Sequence, residues 1–182
     1  LSTLRTRLVK DSYTESRIVQ TIFNNSDTIK KLYAHFEDRF NPSKKTPHEK
    51  HQFNFNSVSN EIDRAVLEFF HLFNNVVLKT NFYKKNKTYL AFRLDPTQFL
   101  DPIEYKEKPY VLFMILAKEL RGFHVRFRDI ARGGIRIVKS RDAENYDQNS
   151  DSIFDENYNL AFTQQKKNKD IPEAGSKGTI LL

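Results

Sequence analysis

Two short segments combine residue types that could bind and convert a small anionic molecule. The first is Ala131-Arg132-Gly133-Gly134-Ile135-Arg136, in which paired glycines stand between arginines. Because glycine has no Cβ, a ligand or another backbone can approach it closely. A guanidinium donates forked hydrogen bonds to a carboxylate or phosphate. On its own, the motif equally fits a bulge or a tight bend between two basic strands.

The second segment runs from Lys166 to Gly178 and holds Lys177 between a serine and a glycine. A lysine that can lose its proton near neutral pH acts as a general base, so Lys177 is the candidate for proton transfer. A phosphate-binding P-loop is excluded here. That motif needs Ser or Thr directly after the lysine, whereas this chain has Gly178.

Composition excludes several other kinds of site. The chain has 182 residues and no cysteine, which rules out disulfides, thiolate metal sites and cysteine nucleophiles. For His71, a surface or cap position is favoured over a metal site. No apolar run is long enough to span a membrane, and residues 1–10 lack a secretory signal. The net charge of +7 leaves a basic module for single-stranded nucleic acid open, although the charges are scattered along helical patterns.

Helical periodicity dominates the first part of the chain. Apolar residues at three- and four-residue steps predict helix over 12–40, interrupted near Asn25, with Ser26 or Asp27 capping the second part. A polar segment over 43–56 predicts a surface loop. A wide aromatic stripe then predicts a core-facing helix over 59–78.

From residue 81 onward the pattern becomes extended. Strands are predicted over 88–94, 110–117 and 123–130, and the alternation of the last strand continues through Ile135 and Ile137. A loop over 140–152 and a helix over 156–169 then lead into a glycine-containing loop with Lys177. The predicted fold class is α+β: a helical N-terminal part over 1–80, followed over 81–182 by a mixed sheet with helices.

Taken together and in this order, the two segments resemble the substrate domain of glutamate dehydrogenases. That family has a Lys-Gly-Gly-x-Arg segment, a helix bearing Gln and Lys, and a Pro-x-Gly-Gly-x-Lys-Gly-Gly loop. The resemblance is dense over 82–182 and is strongest to the large NAD-specific fungal form. It implies that residues 1–80 belong to the extension before the catalytic core. The start at Leu1 and the apolar end Ile180-Leu181-Leu182 favour a fragment.

The resemblance implies a role for each matching residue. Lys177 matches the catalytic lysine, Lys167 and Arg132 match residues that bind substrate carboxylates, and Gln164 matches a glutamine that contacts the substrate. Gly133 and Gly134 would let the substrate lie against the backbone. Three positions depart from the family pattern: Arg132 replaces a lysine, and Ala174 and Thr179 replace glycines.

The implied reaction is oxidative deamination of L-glutamate to 2-oxoglutarate and ammonia with NAD as cofactor. The chain has no Gly-x-Gly-x-x-Gly after a strand, so the dinucleotide-binding Rossmann domain is expected beyond residue 182 and the isolated chain is expected to be inactive. The resemblance further implies a homo-oligomer inside the cell, with the cytoplasm favoured over the mitochondrion. A non-catalytic or regulatory homologue, supported by Ala174, and a different amino-acid substrate stay open.

Overall fold

The computed structural model describes residues 13–44 and 52–182. The chain divides into two compact units, one ending at Val76 and the other running from Val77 to Leu182. Helices and a mixed sheet are both present, which confirms the α+β class. Within the described ranges, no helix is long and apolar enough to cross a membrane.

The described part of the first unit contains three helices: α1 (Glu15–Asn24), α2 (Ser26–Phe40) and α3 (Glu61–Val76). Leu32, Phe55 and Leu67 form a buried hydrophobic cluster. A polar contact ties α1 to α3, because Asp63 is only 7% exposed and accepts hydrogen bonds from Arg17 Nη2 at 2.6 Å and Thr21 Oγ1 at 2.7 Å. Half of the predicted loop over 43–56 lies outside the described residues.

The predicted cap of α2 was wrong. Ser26 is already the first helical residue, and the capping position belongs to Asn25, whose side chain makes no cap hydrogen bond. The backbone N–H of Asn25 still donates to Thr21 of α1, and its carbonyl already accepts from Ile29 of α2. With a single residue between the helices, neither Ser26 nor Asp27 can take the extended conformation that a side-chain cap requires.

The second unit is a seven-stranded sheet with one long helix on it. Its elements are β1 (Val77–Thr80), β2 (Leu90–Leu94), a short 3-10 turn (Pro96–Gln98), β3 (Val111–Leu116), β4 (Arg121–Arg126), β5 (Ala131–Arg132), β6 (Ile135–Val138), α4 (Ala143–Lys167) and β7 (Ala174–Leu181). Strands β1 to β4 are antiparallel neighbours in chain order. The last strand, β7, pairs antiparallel with β4 on one side and parallel with β5 and β6 on the other.

The alternation of β4 correctly predicted a strand with one buried face. Val125 is fully buried, and Phe123 and Phe127 make edge-on ring contacts with Phe154 and Tyr158 of α4 at centroid distances of 5.4 and 5.6 Å. Helix α4 therefore covers the face of the sheet to which these three residues point. The same alternation does not bury β6: Ile135 and Ile137 remain 67% and 59% exposed.

Three further local predictions were wrong. Residues 143–152 are helical rather than a loop, because Asp142 caps α4 by accepting from the Asn145 N–H at 2.8 Å and the buried second half of the helix supports the exposed first half. Val77 and Leu78 belong to β1 and not to the predicted helix, since Val77 pairs with Leu94. The glycine-containing loop around Lys177 is strand β7, because strands on both sides satisfy its backbone.

Candidate functional site

The register of β7 determines what surrounds Lys177. On one side Lys177 lies opposite Val125 of β4, the residue buried beneath α4. On the other side Gly178 pairs with Ile135, so Gly134 stands beside Lys177. Paired residues on neighbouring strands point to the same face of a sheet. Lys177, which is half-buried, therefore emerges on the face that carries α4, next to the Gly-Gly segment.

The two glycines of this segment leave room for different atoms. A Cβ on Gly133 would lie 1.6 Å from the carbonyl oxygen of Ser176. Because Gly133 has no side chain, the segment between β5 and β6 can lie directly against the backbone of β7. A Cβ on Gly134 would lie 3.6 Å from Lys177 Nζ. The ammonium of Lys177 therefore lies close to the backbone of Gly134, the residue just before β6.

Helix α4 touches the backbone of β7 two residues before Lys177. A Cβ on Gly175 would lie 2.2 Å from the backbone nitrogen of Gln165 and 2.3 Å from the carbonyl oxygen of Ala161. The Gly175 N–H donates to Gln165 Oε1 at 2.8 Å. Two residues after Lys177, the buried Thr179 hydroxyl donates to Asn157 Oδ1 at 2.9 Å. Lys177 therefore extends from a strand that the helix holds on both sides of it.

The last turn of α4 carries the other two predicted substrate residues. Gln164 Nε2 donates to Asn168 Oδ1 at 2.9 Å, and Asn168 Nδ2 donates to the carbonyl of Ala174 at 2.9 Å. Asn168 is only 3% exposed, so this bridge fixes the end of the helix to the start of β7. Lys167 is exposed in the same last turn. The contact between Asn168 and Ala174 therefore holds the end of α4, which carries Lys167, against the start of β7, the strand that carries Lys177.

Arg132 lies at the end of β5 and pairs with Gly175. It shares the α4-facing side of the sheet with Lys177, because its partner Gly175 faces α4 and paired residues point to the same side. Its side chain is 59% exposed, and its Nε lies 3.3 Å from Glu173 Oε2. The structure therefore places Arg132, the two glycines and Lys177 together on adjacent strands, with Gln164 and Lys167 on the helix end packed against the same strand.

Sequence reasoning missed the residues that hold this arrangement in place. Asn168, Gln165 and Glu173 each contact a predicted site residue or the strand that carries Lys177. A signal was available for Asn168, since asparagine just after a helix with lysines in its last turn is a common helix ending. Nothing in the local pattern pointed to Gln165 or Glu173, because their partners depend on the strand register.

The opposite face of the sheet carries a half-buried histidine. His124 pairs with Gly178, and a Cβ there would lie 3.0 Å from its ring. Burial lowers the pKa of His124, and the positive charge of Arg126 lowers it further. In the parts of the chain that the structure describes, no three His, Cys, Asp or Glu side chains are grouped as metal ligands.

The residues present do not fit the pyrophosphate of a dinucleotide. Strand β6, helix α4 and the parallel strand β7 form a βαβ unit, the setting in which such a group would lie at the helix N-terminus. Here the connection Lys139-Ser140-Arg141-Asp142 has no glycine. The Asp142 carboxylate occupies the N-terminus itself, and hydrogen bonds from Asn145 lower its pKa.

Comparison with known proteins assigns this arrangement to a family. The family model described as "Bacterial NAD-glutamate dehydrogenase, catalytic domain" matches residues 51–182, which include every site residue described above. The chain belongs to this glutamate dehydrogenase family. The match confirms the resemblance that the lysine and Gly-Gly segments suggested.

Several relatives of this family align along nearly the whole chain. Glutamate dehydrogenase 2 of Dictyostelium discoideum is 50% identical over 192 residues, which cover 100% of this chain and 18% of the relative. The NAD-specific glutamate dehydrogenase of Neurospora crassa is 43% identical and covers 100% of this chain, and that of Saccharomyces cerevisiae is 40% identical and covers 98%. The chain spans 18–19% of the length of these three relatives, as expected for a fragment of a large family member.

Proposed function

We propose that this chain supplies substrate-binding residues and the catalytic lysine of an NAD-dependent glutamate dehydrogenase. The observation that supports the proposal best is the position of Lys177 Nζ over Gly134, on the face shared with Arg132. A cationic group held over a bare backbone leaves space for a small acid beside it. The overall reaction would convert L-glutamate to 2-oxoglutarate and ammonia, with the hydride passing to NAD, and its dinucleotide site is expected in a part of the enzyme outside this chain.

Substrate binding is the first role of these residues. Glutamate carries two carboxylates, and the site offers the guanidinium of Arg132 and the ammonium of Lys167 as charge-assisted donors. Gln164 would add a neutral hydrogen bond beside Lys167. Its amide is already oriented by Asn168. Fixing both ends of the substrate restricts the orientation of its α-carbon, and this kind of positioning contributes a large share of enzymatic rate enhancement.

Proton transfer is the role of Lys177. After the substrate has been oxidised to its imine, water must add to the imine carbon and lose a proton. In its neutral form, Lys177 would accept that proton, and as an ammonium it would return a proton to the departing nitrogen. General acid–base catalysis of this kind contributes roughly 10²–10⁴-fold in rate.

Kinetics of the full-length enzyme test this proposal. We expect Lys177→Ala to lower kcat by about 10²–10⁴-fold while the KM for glutamate changes much less. Lys79→Ala is the matched control, because Lys79 is an exposed lysine on β1 of the same sheet. A Lys177→Ala enzyme with kcat within a few-fold of the parent would rule out the assignment.

The alternative of a non-catalytic homologue rested on Ala174, and its backbone gives that alternative no support. Among the described non-glycine residues, only Asn86 has a positive φ, so Ala174 adopts a conformation open to any L residue. Its N–H donates to the carbonyl of Ile130 and its carbonyl accepts from Asn168, so the strand is intact at this position. The homo-oligomer and the cytoplasmic location stay predictions.

A further inference from the structure

Arg132 already has a carboxylate partner in the protein itself. Its Nε lies 3.3 Å from Glu173 Oε2, and the two side chains are 59% and 40% exposed. The register explains the pairing: Arg132 lies opposite Gly175, so Glu173 is its diagonal neighbour, within reach of a long side chain. The Ala174 N–H, which donates to Ile130 at 3.0 Å, fixes the backbone between them.

The Glu173 carboxylate also lies on the α4-facing side of the sheet, the side that carries Lys177. Glu173 immediately precedes β7, and its carboxylate is placed there by its contact with Arg132, which pairs with Gly175. Its carboxylate therefore stands at the cation that would receive a carboxylate of the substrate. A bound dicarboxylate would have to displace Glu173 from the Arg132 guanidinium. Otherwise it would have to bind the guanidinium with the negative charge of Glu173 still beside it.

We propose that Glu173 is a specificity-determining residue whose carboxylate competes with the substrate for Arg132 and so raises the KM for glutamate. This inference rests on the proposed function, because it needs Arg132 to bind substrate. Glu173 does not take part in the chemical step. Its removal should therefore change binding and leave kcat unaltered.

The expected effect is modest because the pair is partly exposed. Ion pairs of this kind are worth up to about 1 kcal/mol, which corresponds to about fivefold in an equilibrium constant. We expect Glu173→Gln in the full-length enzyme to lower the KM for glutamate by about two- to fivefold. The difference should shrink as salt is added, since salt screens exposed charges.

The chain offers a closely matched control. Arg136 on the neighbouring strand β6 pairs with Glu156 of α4, and both side chains are about as exposed as those of the first pair. Glu156→Gln removes the same charge from the partner of an arginine on the same side of β7. It should leave the KM for glutamate unchanged, whereas Glu173→Gln lowers it. Glutamine preserves the shape of each exposed side chain, so both variants should fold.

A double-mutant cycle with Arg132→Ala separates the possible results. Arg132→Ala should raise the KM. Adding Glu173→Gln to it should have no further effect, because the guanidinium for which Glu173 and the substrate compete is absent. If Arg132→Ala raises the KM but Glu173→Gln leaves it unchanged or raises it, competition by Glu173 is refuted and the proposed function stands. If Arg132→Ala leaves the KM unchanged, Arg132 is not a substrate anchor, and both this inference and that part of the proposed function fail.

Discussion

Replacing Gly175 with alanine tests the contact that positions the strand carrying Lys177. The new Cβ would lie 2.2 Å from the backbone nitrogen of Gln165 and 2.3 Å from the carbonyl oxygen of Ala161, against 3.4 Å or more for ordinary contact. Both are helical backbone atoms, which cannot rotate away as the end of a side chain can. Helix and strand would have to separate by about 1 Å, straining the hydrogen bond from Gly175 to Gln165.

The size of the effect follows from three contributions. Overpacking costs about 1–3 kcal/mol, and a strained buried hydrogen bond costs about 1 kcal/mol more. In the opposite direction, replacing glycine with alanine restricts the unfolded chain and stabilises by about 0.4–1 kcal/mol, because no described glycine has a positive φ. We expect a net loss of about 2 kcal/mol, or roughly 8–16 °C in Tm for the unit of about 100 residues that contains Gly175.

Gly134→Ala is the matched control, since it makes the same chemical change in the segment that lies beside β7, just before β6. The nearest atom to its Cβ is Lys177 Nζ at 3.6 Å, an ordinary contact with a flexible side chain. Its stability should stay equal or rise by up to about 1 kcal/mol. Urea unfolding followed by circular dichroism would compare both variants with the unaltered chain.

Two results would refute this reasoning. A Gly175→Ala variant that unfolds at the same urea concentration as the unaltered chain would show that helix and strand are not in backbone contact. Equal losses for Gly175→Ala and Gly134→Ala would show that alanine is unfavourable in these strands for a reason other than the approach of α4.

Further predictions concern the polar contacts and one histidine. Asp63→Ala should lower the free energy of unfolding by about 1–3 kcal/mol, because Arg17 loses its buried acceptor; an unchanged urea midpoint would contradict this. Asn168→Ala should cost a similar amount by leaving a buried carbonyl without its donor, whereas Asn159→Ala, exposed on the same helix, should be near neutral in the same assay. Because the pKa of His124 is lowered in the folded state, the unfolded state binds the proton first, so stability should fall as the pH drops below about 6.5. His124→Gln should flatten that pH profile of the unfolding midpoint, and an identical profile would refute the assignment.

The sequence predicted candidate site residues but not how they are arranged. Period-two alternation correctly predicted β4, because Phe123, Val125 and Phe127 face one helix. The motifs marked Lys177 and Gly134 as important. However, a periodic pattern indicates which face a residue occupies and not which strand lies beside it. The pairing of Gly134 with Lys177 depends on β7 lying between β4 and β6, which no local pattern encodes.

The wrong predictions share a physical cause, since tertiary contacts overrode local composition. The polar residues after Asp142 look like a loop, yet they continue a helix whose later residues, such as Phe154, are buried. The glycines around Lys177 look like a turn, yet flanking strands on both sides make them extended. Glu173 had no local signal at all, because its partner Arg132 is brought to it only by the strand register.

The central place of β7 has a consequence for how the protein is made. On the ribosome, β4 emerges first and its outer edge stays open until β7, the last strand in the chain, arrives to pair with it. An unpaired edge is a template for association with other chains. We therefore expect the nascent protein to be most prone to aggregation between the emergence of β4 and the emergence of β7 from the ribosome. The strand that carries Lys177 would end that period, so the edge of β4 would be covered and Lys177 would be placed beside Val125 in a single event.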